Sequence, residues 1–198
     1  MYEFPREPKR IAERIKRYER ALRKEHEKFG FISDDSGKRY LLGPLYMLLG
    51  DTAAAVRSLE WFEKAFPDDR GEPFQYLCWA LALYRSGDIG GASRKLLQTM
   101  LLNLYLIPHL LGIPQGELDI WHGSNWAEKS YLEYAPPELF RLWDHQALEW
   151  AKETYQSPKF RQVRARYVEI HEQLRHEPVG PRRSQLVQEA FELEASYD

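Results

Sequence analysis

The chain has one cysteine, Cys78, so no internal disulfide can form. Cys78 lies within the apolar run LCWALALY, where a thiol packs as a small hydrophobe; a reactive thiol needs an exposed, electropositive setting. Long hydrophobic runs are also missing. The most apolar stretches are broken by Arg, Asp or Pro, which excludes a membrane span. Met1 to Arg10 is polar and holds Pro5 and Pro8, unlike a secretory leader, so a cytoplasmic location is expected. Nowhere do apolar and polar residues alternate as in a strand, so the expected fold is all-α.

Sequence signs of chemistry are equally sparse. There is no G-x-S-x-G, no G-x-G-x-x-G and no paired-cysteine motif. The stretch Asp34-Asp35-Ser36-Gly37-Lys38 lacks the frame of a phosphate loop, and Ser36 reads as an N-cap. His171 and His176 stand one residue too far apart for H-E-x-x-H. On a regular helix a separation of five turns two rings about 140° apart, too far to share one ion. The reading is non-enzymatic, with no metal and no cofactor.

What is present is aromatic and helical. Nine Phe, twelve Tyr and six Trp bury too much surface for a disordered chain, so 1–198 reads as one helical domain. Residues 5–29 place Ile11, Ile15, Tyr18, Leu22 and Phe29 on one narrow stripe of a long helix. The other faces of that helix carry ten basic against five acidic residues. Glu13 with Arg17 and Glu19 with Arg23 have the spacing of a solvated, ion-paired face. Nucleic-acid binding through this basic helix is a further alternative, weakened by the lack of aromatics among the bases.

Residues 38–104 read as helices at about 38–50, 52–66, 73–86 and 89–104. The first pair supplies Leu42, Gly43, Tyr46, Ala55 and Pro67 at the spacings of W-x2-L-G-x2-Y, A-x3-F and P, with Arg39 replacing the Trp and Leu59 the Phe. The chain therefore resembles the tetratricopeptide (TPR) repeat, a helix hairpin that stacks with its neighbours. A shift of 37 positions yields a second, degenerate copy: Gly50-Asp51 returns as Gly87-Asp88, Ala55 as Ala92, Leu59 as Leu96, Leu42 as Trp79, Gly43 as Ala80 and Tyr46 as Leu83. Gly43 should allow close helix approach, the glycines of the Gly-Asp pairs end a helix, and their aspartates cap the next.

The resemblance implies a protein- or peptide-binding scaffold whose groove is lined by the first helix of each pair. Tyr40, Pro44, Met47 and Leu48 would face that groove, joined by Phe74, Leu81, Tyr84 and Arg85. Families that grip a peptide C-terminus place Lys, Asn and Arg here, so Tyr40 and Pro44 speak against such a clamp. The partner is a protein or peptide of unspecified identity, a second copy of the chain included. The other outcome is that the terminal helices of the chain fill the groove themselves.

Residues 105–135 form a Trp-rich connector broken by Pro108, Gly112, Pro114, Gly116 and Gly123, with a short helix over 125–135 boxed by Asn125 and Glu128. The run N-x-Y-x-I-P-x-L-L-G from Asn103 to Gly112 resembles the tail of bacterial TPR proteins of unassigned role, and it brings no activity with it. Trp121, His122, Asn125 and Trp126 offer two indoles with polar groups beside them, the alternative small-molecule or enzymatic site. A turn that covers the end of the core explains the same residues. Over 136–198, one helix opens at Pro136-Pro137 and aligns Leu139, Trp143, Ala147 and Trp150. A second opens at Ser157-Pro158 and aligns Phe160, Val163, Tyr167, Ile170 and Leu174. A last turns Leu186, Ala190, Phe191 and Tyr197 inward.

Overall fold

The structure is a computed structural model that describes residues 3–195. It is all-α, with no strand among the described residues. Among the described residues ten α-helices follow in order: α1 (Pro8–Phe29), α2 (Lys38–Leu49), α3 (Thr52–Ala65), α4 (Pro73–Ser86), α5 (Ile89–Leu102), α6 (Leu106–Leu110), α7 (Pro137–Phe140), α8 (His145–Gln156), α9 (Pro158–His176) and α10 (Pro181–Ala195). Helices α1 to α5 stack in chain order, each on the next, and α4 also reaches α2. The later helices wrap this stack: α7 touches α2, α9 packs on α5 and α8, and α10 lies on α9 and α5.

Two matching turns organise the stack. Gly50 and Gly87 end α2 and α4 with φ of 84° and 88°, a left-handed conformation that glycine adopts without strain. In each turn the next residue donates its N–H back to a helix carbonyl, Asp51 to Tyr46 at 3.0 Å and Asp88 to Leu83 at 3.0 Å. The aspartate side chains then cap the following helices, Asp51 accepting from the Ala54 amide and Asp88 from the Gly91 amide, both at 2.9 Å.

The close approach expected at Gly43 is present. A Cβ placed there would lie 2.6 Å from both Cγ and Cδ2 of Leu59 on α3. In the second pair, Ala80 and Leu96 are wholly buried. One core runs from Ile11 and Leu22 on α1 through Phe62, Phe74 and Met100 to Phe160 on α9. A satellite of Ile170, Leu174 and Leu186 joins α9 to α10.

Four sequence expectations need correction. Ser36 is not the cap of α2. Gly37 holds that position, and the buried Asp34 carboxylate accepts the Arg39 amide at 2.7 Å. Asn125 and Glu128 form no capping box; residues Asn125–Ala127 and Lys129–Glu133 are short 3-10 turns. The helix expected from Pro136 onward is two helices, because Asp144 accepts the Ala147 amide at 3.0 Å and starts α8 anew. Phe191 is 46% exposed rather than inward. Leu186 is buried as expected, and Tyr197 lies outside the described residues.

Candidate functional site: a trough between the first and third helices

The side of the stack expected to form a groove is covered by the chain itself. Tyr40, Pro44, Met47, Phe74 and Leu81 are interior. The connector and α8 supply the cover. Trp126 sets its edge on Tyr40, with ring centroids 6.1 Å apart. The Tyr131 hydroxyl accepts the Phe74 amide at 3.2 Å, closing the start of α4. Tyr84 stacks on Trp150 at 4.6 Å, and Trp150 lies nearly parallel to Trp143. Arg85 stays exposed but donates to the Leu142 carbonyl and pairs with Asp144 at 3.4 Å. These residues therefore hold the later chain on the stack instead of lining an open groove.

Tyr40 is further committed by its hydroxyl, which accepts from Arg39 at 2.7 Å and donates to Asp69 at 2.8 Å. Burial, then the Asp69 carboxylate, pushes its pKa up to about 12. This chain of bonds ties the turn before α2 to the turn before α4.

The residues of the alternative site separate. Trp121 stacks on His171, takes Arg183 over its ring at 5.0 Å, and donates its backbone N–H to the His171 carbonyl. His122 lies beside Tyr105, 3.5 Å from its hydroxyl. Asn125 is exposed, and Trp126 goes to Tyr40. The two indoles thus pack on different parts of the molecule. Cys78 is buried as read, and loss of hydration drives its thiol well above the ordinary value.

His171 gives this region a pH dependence. Its Nδ1–H faces the Tyr167 carbonyl at 2.9 Å, and the residue is only 6% exposed. Burial holds its pKa below the ordinary 6.5, against the Tyr167 bond that raises it, with His122 and Arg70 adding repulsion. When the folded pKa is the lower one, the unfolded chain binds the proton first. This contribution is thus complete above pH 6.5 and is lost as the pH falls through the folded pKa. Thermal midpoints measured over about pH 7 to 5 should fall less steeply in His171→Phe than in the wild type.

The open concavity lies on the opposite side of α2. At 100° per residue, Leu42 and Tyr46 point away from Tyr40, Pro44 and Met47. They floor an open-sided trough of about 930 Å³. One wall is α1, through Glu19, Leu22, Arg23 and His26; the other is α3, through Ala54, Arg57, Ser58, Trp61 and Ala65. Gly30, Phe31 and Ile32 bound it from the turn after α1. Phe29 and Phe31 in this turn are 54% and 62% exposed, an unusual display of large apolar surface. Glu19 is engaged, accepting the Tyr46 hydroxyl at 2.5 Å, and burial together with this carboxylate raises the phenol far above its ordinary value.

A second concavity of about 530 Å³ repeats the arrangement between α3 and α5. Trp79 and Leu83 line it, the residues 37 positions after Leu42 and Tyr46. Its charged lining is mixed, Glu60, Glu63 and Asp88 with Arg94 and Lys95, and Lys95 is paired with Glu63 at 2.8 Å beneath the Trp79 ring. Phe191 of α10 stands at this second trough.

Neither trough was legible as a site beforehand. The signal was the pair Leu42 and Tyr46 on the side of α2 away from the expected groove, together with Phe29 and Phe31 beside the break at Gly30. No family model, curated protein or solved structure matches the chain. No helix among the described residues is long and apolar enough to cross a membrane.

Proposed function

We propose that the protein is a cytoplasmic, non-enzymatic helical scaffold that binds another protein through the trough between α1 and α3. The observation that carries this reading is that trough: about 930 Å³, open along one side, and edged by exposed Phe31. The TPR-like reading of the two hairpins belongs to the same proposal. Its support is the pair of matching Gly-Asp turns and the tight Gly43–Leu59 approach. The partner surface sits on the side that the connector leaves open, because the groove residues of the TPR pattern are occupied by Trp126, Tyr131 and Trp150.

Ser58→Trp tests the proposal. Ser58 is half-buried on the α3 wall, so an indole there fills the trough without entering the core. Affinity capture from cells of origin, followed by titration of the recovered protein, should show binding by the wild type weakened at least about tenfold in Ser58→Trp. Equal affinity for both, with unchanged thermal midpoints, would refute the proposal.

A further inference from the structure

Resting on that reading, we propose that the occupant of the first trough is an amphipathic α-helix of a partner protein, with Asp or Glu flanking its apolar face. Shape comes first. The α3 wall runs from Ala54 to Ala65, which at 1.5 Å per residue is about 17 Å, or three helical turns. The α1 wall contributes residues at i, i+3, i+4 and i+7, so both walls are helix faces and the floor is a third helix. A trough of that length with an apolar floor takes a helix that inserts residues at the same spacing.

Charge selects among such helices. Arg23 and Arg57 stand on opposite walls, and neither forms an ion pair among the described residues. The one carboxylate in the lining is Glu19, and it holds the Tyr46 hydroxyl. A helix seated between two arginines gains by presenting carboxylates to both walls, and a basic helix would be repelled. The rest of α1 is net basic, with exposed Lys16, Arg17, Arg20 and Lys24 against exposed Glu13 and Glu27.

The second trough offers a parallel within the molecule. At the second one, over Trp79 and Leu83, the chain brings Phe191 from its own helix α10. An aromatic side chain borne on a helix thus already borders the matching surface one hairpin along. At the first trough no later helix of the described chain plays that part; the exposed Phe31 borders it from the turn after α1, with the exposed Phe29 ring 6.2 Å away.

A displayed library of helical peptides of about 14 residues, with randomised faces, tests the inference on the full chain. Recovered binders are then titrated, without further selection, on Arg23→Glu/Arg57→Glu, whose altered side chains lie on the trough walls. The expected result is enrichment of acidic sequences with Leu, Phe or Trp at i, i+3 or i+4, and i+7. Their affinity should fall at least about tenfold in the double variant, and likewise between ~50 and ~300 mM salt. Enrichment of neutral, basic or proline-rich peptides that Ser58→Trp still blocks would overturn the acidic helix and leave the scaffold reading standing. Failure to enrich any peptide sensitive to Ser58→Trp would overturn both. Sedimentation showing a dimer that Ser58→Trp dissolves would assign the trough to a second copy of the chain and refute the inference.

Discussion

Gly43→Leu is expected to lower the stability of the fold by about 3 kcal/mol, because it forces atoms into space that Leu59 already fills. The first added carbon would sit 2.6 Å from Cγ and Cδ2 of Leu59, well inside contact distance. Leu59 is fully buried in the core, where close packing leaves little room for it to shift, so α3 is pushed away from α2. For a chain of this size, that loss lowers the thermal midpoint by roughly 6–12 °C. Gly50→Ala supplies the contrast. No atom lies within 4 Å of a Cβ at Gly50, so its cost comes only from the positive φ and should be nearer 1 kcal/mol. Combining Gly43→Leu with Leu59→Ala should cost less than the two single losses together, since one vacates what the other occupies. Strict additivity in that cycle would show that the α2–α3 contact is not set by this pair.

Arg39→Met is expected to cost about 3–5 kcal/mol by urea denaturation, through the partners left behind. Arg39 donates to Asp69 at 2.7 Å, to the Ser33 carbonyl at 3.0 Å, to the Asp34 carbonyl at 3.1 Å and to the Tyr40 hydroxyl at 2.7 Å. Its guanidinium also lies over the Tyr40 and Phe66 rings, at 4.5 and 4.8 Å. Methionine keeps the apolar stem and removes every side-chain donor, so Asp69 loses its cation and the buried Asp34 keeps only Lys38 and the backbone amide of residue 39. Arg39→Lys should recover little, because a single ammonium cannot reach four acceptors in a planar fork. Adding Asp69→Asn to Arg39→Met should recover part of the loss by removing the stranded charge. A loss below about 1 kcal/mol in Arg39→Met would mean that the network is no better than a surface ion pair.

These two sites mark where the sequence speaks and where it stops. Gly43, the Gly-Asp turns and the stripe Phe160, Val163, Ile170 and Leu174 are local signals, set by φ, by capping and by helical period, and all are readable along the chain. Arg39 was visible as the residue in place of a tryptophan. Its task was hidden, because Asp69 lies 30 positions away and meets it only after α2 and α3 have paired. The break at Asp144 was masked by a competing local pattern, since Leu139, Trp143, Ala147 and Trp150 keep helical spacing straight through it.

The covered groove has the same origin. Spacing placed Tyr40, Phe74 and Tyr84 on one side of the stack, but only the folded connector and α8 put Trp126, Tyr131 and Trp150 over them. The trough was missed because it needs faces from three helices at once. No single helix announces Leu22, Leu42 and Trp61 as neighbours.

The cover over α2 and α4 also bears on how the chain becomes native. Helices α1 to α5 meet their neighbours across short separations in the chain, whereas Phe74 with Tyr131 and Arg85 with Asp144 join positions 57 and 59 apart. Closing long loops costs entropy that adjacent hairpins do not face, so the stack is expected to form ahead of its wrapping. In the native state the same order runs in reverse, and the wrapping opens at lower free energy than the hairpins beneath it. Amide hydrogens of α4 and α5 are accordingly expected to outlast those of α7 and α8 in exchange with deuterium, and opening of the connector would uncover Tyr40 and Phe74.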